Sequence, residues 1–506
     1  MCCMTKDCPF NNGLPIYVVD ESIYKVRPTL IFGTVDKFAQ VPLNESAQHL
    51  FGSDDNNRYH RPDLIVQDEL HLISGPLGSI VGLYEAGFDY IFRDNSTEEG
   101  PKYIASTATI RNAEEQVKGI FDRRVQQFPP QGITSSDNYF IRDSNEGHGR
   151  KYFGIMGTGK SQMTVEVHIL AAMLQCAVDL GGHGCDAEEL YWTIAGYFNS
   201  LRELGKASTL LRDDVRDYLR ELKKRLCIPN EKFRELSDFN AKELTSRIEG
   251  NQIPEIIKEL EIMHNDQSEV ENKQYAVDTL LATNMLSVGI DISRLNAMLV
   301  VGQPKLTSEY IQATSRVGRK TLGAVFTLYN STRSRDRSHY ETFQAYHQSL
   351  YKYVEPSSVT PFSVPAMKRC IPGGVMAAML RNTVEQLSGD KCAINILEDN
   401  NNQQLERTKK FLNDRVKHSE DKYHLYQNGA QEIINNFINK WRKLATDSQD
   451  LEFQYFKYPM VSSQYPGNLL LRSFNDNSHK EASHVMESMR NVDDVSFVNI
   501  KEDEES

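Results

Sequence analysis

Short apolar runs separated by polar breaks recur along the first hundred residues, and they have strand length. Between Leu14 and Gly33 the segments LPIYVVD and PTLIFG predict strands at the edge of an α/β domain. Further strands are expected at LIVQD (64–68) and KYIAST (102–107), with the helical pattern LGSIVGLYEAGFDYIF between them. Strand, helix, strand is the rhythm of a parallel sheet with crossover helices. The polar, Pro- and Gly-containing stretch FPPQGITSSDNYFIRDSNEGHG then interrupts the pattern and reads as a linker over 126–150.

A second α/β domain is expected over 151–330. It opens with KYFGIM and the helix QMTVEVHILAAMLQ, and it continues through AEELYWTIAGYFNS to the strands DTLLAT and AMLVVGQP. Within it, the charged stretch at about 207–270 predicts an insert of solvated helices rather than a nucleic-acid arm. Residues 331–500 read as a mostly helical accessory domain, exemplified by VMAAMLRNTVEQL and the polar stretch from 398 to 447, before an acidic tail at 501–506. The expected fold class is therefore α/β: two parallel-sheet domains, the first incomplete and confined to 29–125, plus C-terminal helices.

Composition narrows the class further. A chain of 506 residues with 40% hydrophobic and 25% charged residues has the make-up of a folded globular protein of several domains. No apolar run approaches the roughly 18–20 residues that span a bilayer, so a cytoplasmic protein without a membrane partner is expected. The net charge of −12 provides no global attraction for nucleic acid, though a local groove would suffice. Cysteines are sparse. Cys2, Cys3 and Cys8 cluster in residues 1–28 as if in the remnant of a cysteine-bearing insert, and their spacing is not that of a zinc site.

Chemistry concentrates at predicted strand ends, where open α/β sheets bind ligands. LIVQDELH delivers Asp68, Glu69 and His71 after an apolar strand. Nucleotide hydrolysis needs one carboxylate near Mg²⁺ and a base to orient water, roles that suit Asp68 (through a metal-bound water) and Glu69; His71 would reach the γ-phosphate. A solvated strand end would carry the same letters. The next strand ends in the hydroxyl cluster Ser106, Thr107 and Thr109, able to relay the state of a neighbouring carboxylate, although a turn also favours such residues. Later, ATNMLSVGID places Thr283 after a strand and Gly289 and Asp291 in the following turn. QATSRVGR presents Gln312, Arg316 and Arg319, whose guanidinium groups, on a helix-sized step, would face one phosphoryl group.

DELH, STAT, ATNMLSVGID and QATSRVGR, in that order, resemble motifs II, III, V and VI of superfamily 2 helicases. The last departs from the commonest form, with Ala313 and Ser315 where Arg and Gly are usual. More narrowly, CPFNNGLPIYVVDESIYKVRPTLIFGTVDKFAQVP, DRSHYETFQAYHQSLYKYVEPSSVTPF and ESMRNVDDV resemble the helicase subunit of the DISARM anti-phage defence system. The resemblance implies RecA-like domains, ATP and Mg²⁺ as cofactors, and nucleic acid, DNA rather than RNA, as partner. It also implies defence-system subunits as further partners. By the same resemblance Thr34 and Lys37 in GTVDKF, and Thr283, contact the strand; an exposed lysine on a capped helix is the plainer alternative for Lys37.

One part is missing before Asp68. A motor of this class needs a G-x-x-x-x-G-K-[S/T] loop there, so an N-terminally truncated or split protein, served by a separate N-terminal helicase fragment, is expected. The pattern occurs instead at Gly154–Ser161, GIMGTGKS, between a strand and a helix. Gly159, Lys160 and Ser161 there read either as a nucleotide site, as a contact to a nucleic-acid phosphate, or as a structural turn. Two functions follow: the C-terminal portion of an ATP-dependent helicase or translocase, or a non-hydrolysing nucleic-acid-binding or scaffold subunit that keeps the fold.

Overall fold

The computed structural model describes residues 5, 8–11, 13–40, 43–51, 60–93, 99–107, 111–130, 139–140, 149–180, 187–236, 240–249, 251–264, 276–283, 292–419, 425–454, 468–473, 481–486 and 488–489. The chain forms two compact units, one from residues 1–128 with 356–506 and one from 129–355.

In the first unit, the stretch 14–33 does not form the expected strands. Its described structure is a helix, α1 (Asp20–Val26), with irregular chain on either side. The local reasons are plain. Asp20 and Glu21 in the first turn and Lys25 in the last complement the helix dipole, and Tyr24 is buried. Among the described residues no ladder partner reaches the flanking apolar segments, which stay exposed at Val18 and Phe32. A short helix α2 (Val35–Gln40) follows. Strands β1 (Leu64–Gln67) and β2 (Lys102–Ala105) pair in parallel, Val66 opposite Ile104, and α3 (Gly75–Phe92) and α4 (Ala113–Phe121) flank them in sequence. Nearly all of α3 is buried, which explains why its sequence is apolar around its whole circumference.

The second unit is a six-stranded, all-parallel sheet in the order β3-β8-β7-β4-β6-β5. Its strands are β3 (Arg150–Met156), β4 (Ile194–Phe198), β5 (Ala241–Leu244), β6 (Thr279–Ala282), β7 (Ala297–Val301) and β8 (Gly323–Tyr329). Its helices are α5 (Gln162–Leu180), α6 (Ala187–Tyr191), α7 (Leu201–Arg212), α8 (Asp214–Arg225), α9 (Ile253–Leu260), α10 (Thr307–Thr314), α11 (Ser334–Glu341) and α12 (Phe343–Gln348). Alternation along the strands divides the core: Ile194, Phe198, Leu281 and Leu299 face α5, α7 and α8, whereas Ala195, Tyr197, Leu280 and Val300 face α9 and α10. With both faces covered, β4, β6 and β7 are buried at every residue.

Three expectations change here. Residues 207–270 are no solvated insert: α7 and α8 bury Leu204, Leu211, Val215 and Leu219, and β5 is a strand of the sheet. The unit also runs past 330, because Phe343 of α12 packs against Gly154, where a Cβ would lie 2.7 Å from its ring. Finally, α5 is long and apolar enough, by length and composition, to cross a bilayer. Val167, Leu170, Ala171 and Leu174 instead place it on the sheet as a core helix.

After Pro356 the chain returns to the first unit. There α13 (Val364–Cys370), a π-helical segment (Ile371–Ala377) and α14 (Ala378–Thr383) pack on α3, followed by α15 (Asn402–Ser419) and α16 (Leu425–Asp447). Gly87 of α3 faces Val375 and Met379, so the C-terminal helices and the DELH segment share one core. A small parallel sheet, β11-β10-β9, was not expected from the pattern; it comprises β9 (Glu452–Gln454), β10 (Leu469–Ser473) and β11 (Ser483–Val485).

Candidate nucleotide and nucleic-acid contact residues

Strand β1 ends at Gln67, which exposes Asp68 at the C-terminal edge of the small sheet. Asp68 Oδ1 accepts the hydroxyl of Ser106 and, at 2.9 Å, the Glu69 amide. The backbone locks the same two segments together: Ser106 N–H donates to Gln67 O and Leu70 N–H to Ser106 O, each at 2.9 Å. Glu69 is held at φ 51, in the left-handed region, which ends the strand and starts a 3₁₀ turn over Leu70–Leu72. Its carboxylate lies 3.3 Å from His71 Nδ1, and the same nitrogen lies 3.1 Å from Thr107 Oγ1. The DELH carboxylates are thus wired to the first two residues of STAT. Thr109 lies outside the described residues.

Pattern reading missed a buried support beneath this turn. Gln116 of α4, fully buried, donates from Nε2 to Leu70 O at 3.0 Å and to Ile73 O at 2.8 Å. A lone glutamine in an amphipathic helix carries no local signal for such a role.

Elsewhere in the first unit, Lys37 pairs with Asp20, and this hydrogen bond raises its pKa. Thr34 is exposed and its carbonyl accepts the Lys37 amide at 3.0 Å. Cys8 is half-buried, while Cys2 and Cys3 lie outside the described residues.

In the second unit Thr283 directly follows β6 and is buried; Gly289 and Asp291 lie outside the described residues. Gln312 is on α10, but the helix ends at Thr314, so Arg316 and Arg319 do not share a helical face. Gly318, at φ 66, turns the chain between them, and its amide donates to Leu295 O at 2.9 Å. Arg316 is half-buried and Arg319 exposed. Both ends of this segment are gripped by charged residues with no signal in the motif. Glu355 accepts the Thr307 amide at 2.8 and 3.0 Å, an anion at the start of α10. Arg150 donates to Ser315 O at 2.9 Å and to Val317 O at 2.6 Å, a cation past its end. Tyr310 adds a bond to His347 Nε2 at 2.9 Å; His347 Nδ1 donates to Phe343 O at 2.8 Å, and burial lowers the pKa of the ring, which favours the neutral Nδ1–H tautomer with Nε2 as acceptor.

The GIMGTGKS segment forms a strand-to-helix turn at the edge strand β3. Gly159 takes φ 78, and Gly157 packs so closely on Val165 that a Cβ would lie 2.3 Å from Cγ2. Ser161 caps α5: its hydroxyl accepts the Thr164 amide at 3.1 Å. Lys160 is exposed beside Asn330 and Thr332, with which it lines a shallow cleft.

The helicase conserved C-terminal domain is matched over residues 214–321. The DISARM protein DrmA of Bacillus paralicheniformis is 37% identical over 544 residues, covering 99% of this chain and 46% of that protein. The chain therefore spans less than half the length of this relative. Among solved structures, the DUF1998 helicase MrfA bound to DNA aligns with a TM-score of 0.48 at 15% identity, over 72% of this chain and 40% of that one. Mycobacterium smegmatis helicase Lhr bound to ssDNA and AMP-PNP aligns at 0.44 and 12%, over 77% and 44%.

Proposed function

From the premise that the chain belongs to the superfamily 2 helicases, with a DISARM protein as its relative, we propose that it is the C-terminal portion of an ATP-dependent DNA translocase of an anti-phage defence system. In this reading it hydrolyses ATP once a separate N-terminal segment supplies the phosphate-binding loop. The observation that carries the reading is the wiring of DELH to STAT: Asp68 to Ser106, and Glu69 through His71 to Thr107.

The residues fit the cofactors. Among the described residues both hydrogen bonds to the Asp68 carboxylate fall on Oδ1, which leaves Oδ2 to accept from a water on Mg²⁺. Bound Mg²⁺–ATP would supply the electrophilic phosphorus and the leaving group. Glu69 is half-exposed and acts as the base that orients and deprotonates the attacking water. Its carboxylate shares His71 with Thr107, so a change in its charge alters the bond to the β2 segment, a route by which hydrolysis reaches the strand-contacting face. Arg316 and Arg319 supply positive charge to a nucleotide phosphate, Gly289 and Asp291 contact the nucleotide, and Gln312 acts in coupling. Thr34, Lys37 and Thr283 contact the DNA backbone, Lys37 by exchanging Asp20 for a phosphate. The cap made by Ser161 favours the structural reading of GIMGTGKS over a second nucleotide site.

The test is DNA-stimulated ATP hydrolysis by this chain combined with the loop-bearing segment. Glu69→Gln is expected to lower the rate by about 10²–10⁴-fold with nucleotide binding kept. Unchanged turnover would overturn the assignment.

A further inference from the structure

The chain leaves the second unit at Glu355 and enters the first at Pro356. Such crossings usually run through exposed, polar linkers with few contacts. Here the residues on either side are held firmly, each within its own unit. In the second unit the Glu355 carboxylate accepts the Thr307 amide at 2.8 and 3.0 Å and the Thr307 hydroxyl at 3.1 Å. Thr307 is the first residue of α10, is buried, and also accepts the hydroxyl of Tyr346 at 3.2 Å. In the first unit Ser358 O accepts the amide of Gly75, the first residue of α3, at 2.9 Å. The Thr360 amide donates to Ser79 Oγ at 3.1 Å. Glycines four apart on α3 make room for the same segment: a Cβ at Gly78 would lie 3.1 Å from Val359 Cγ2, and one at Gly82 would lie 3.1 Å from Pro361.

Pro356 and Ser357 separate the two anchors, so the chain from Glu355 to Ser358 reaches at most about 11 Å. It is also stiff. Pro356 and Pro361 fix φ, and Glu355 and Thr360, each before a proline, are kept extended. What the ends hold gives the segment its meaning: α3 follows directly on the DELH turn, and α10 carries Gln312 and leads into Arg316.

We propose that residues 355–361 are a coupling strap, through which a shift of the DELH turn and the start of α3 is passed to α10 and the arginine-bearing turn beyond it. A slack linker lets each anchor respond alone. A short one of restricted φ makes displacement of Val359 and Pro361 pull on Glu355, and Glu355 holds the first amide of α10. The effect is reciprocal, so a ligand that orders α10 also orders the start of α3. The bearing of this coupling on turnover rests on the hydrolytic reading above; the strap itself does not.

The experiment compares amide exchange in four forms of the chain: the parent, Val359→Asp, an insertion of Gly-Gly-Ser between Ser357 and Ser358, and the two changes combined. Val359→Asp sets a charge against the α3 glycines and detaches the strap from the first unit without altering any residue that bonds α10. The insertion keeps both anchors, because lengthening so short a loop costs little closure entropy. Val359→Asp is expected to speed exchange of the 307–314 amides about tenfold, the insertion alone to leave them unchanged, and Val359→Asp to have no effect on them in the lengthened chain. Unchanged exchange at 307–314 in Val359→Asp, or the same acceleration with the longer strap, would overturn the proposal. Should Val359→Asp also strip protection from the middle of α3, Val359→Ala and Ser79→Ala detach the strap more gently, and each must show the same strap-dependent pattern at a few-fold level for the proposal to stand. Under the conditions in which the parent hydrolyses ATP, the insertion should lower kcat about tenfold with KM unchanged; an unaffected kcat overturns the strap's role in turnover. A parent without hydrolysis overturns the hydrolytic reading alone, and exchange still decides the strap. Hydrolysis by a parent whose α10 is indifferent to Val359 does the reverse.

Discussion

Arg150→Met removes the grip on the arginine-bearing turn while keeping a side chain of similar length. The guanidinium bonds two carbonyls, Ser315 O and Val317 O, on either side of Arg316. A hydrogen bond from a charged donor is worth about 1.5–3 kcal/mol. Arg150 is only half-buried, so water can replace part of each bond and the lower end applies: about 2–3 kcal/mol for the pair. The turn cannot relax to compensate, because Gly318 is pinned on Gly323, where a Cβ would lie 2.5 Å from the Gly323 Cα. For a unit of roughly 200 residues each kcal/mol shifts the melting temperature by about 2–4 °C, so a loss of roughly 5–10 °C is expected in calorimetry of the second unit's transition. Arg150→Lys keeps the charge but cannot fork between two carbonyls, and should fall between. A methionine variant melting within about 1 °C of the parent would show that the carbonyls are equally well solvated without arginine, and would refute the clamp.

Gln116→Leu removes the side-chain donor from Ile73 O and from Leu70 O, which keeps the Ile73 amide at 2.9 Å, and should cost about 1–3 kcal/mol, read as a lower urea midpoint for the first unit; an unchanged midpoint removes Gln116 as the support of the DELH turn. Burial, with Glu203 nearby, raises the Glu166 carboxyl to about 7. A raised carboxyl contributes stability that is present below its ordinary value near 4.5 and lost as pH climbs through about 7. Glu166→Gln should therefore stabilise the second unit at pH 8 by on the order of 2 kcal/mol and change little at pH 5; a variant whose effect is the same at both pH values would contradict the shift.

What the sequence declared and what it hid divide along physical lines. Strands β1, β3, β6 and β7 were readable because each is a short apolar run ended by polar residues, and α3 and α5 because their length excludes a strand. The stretch 14–33 has the same strand-like pattern, yet forms no ladder with the described residues, because pairing depends on a neighbour that local pattern does not contain. Residues 207–270 looked solvated because their charge masks one apolar stripe per helix, Leu204 to Leu211 and Val215 to Leu222, which only the sheet reveals. In the site, the letters DELH and STAT named the right neighbours, since motifs at adjacent strand ends meet in any parallel sheet. The supports Gln116, Arg150 and Glu355 were invisible because they act on backbone carbonyls and amides through long-range contacts, 46, 167 and 48 residues away. Arg316 and Arg319 do not share a helical face for a local reason: the helix ends at Thr314, before either of them, and Gly318, at positive φ, turns the chain between them.

The central claim is that Glu69 is the base of an ATP hydrolysis reaction completed by a second polypeptide segment. The most direct measurement is single-turnover ATP hydrolysis with Mg²⁺ and single-stranded DNA, comparing this chain alone, the assembled pair and the pair carrying Glu69→Gln. The account predicts hydrolysis by the pair, little by the chain alone, and loss of about 10²-fold or more in the variant. Equal rates for the pair and its Glu69→Gln form would contradict it.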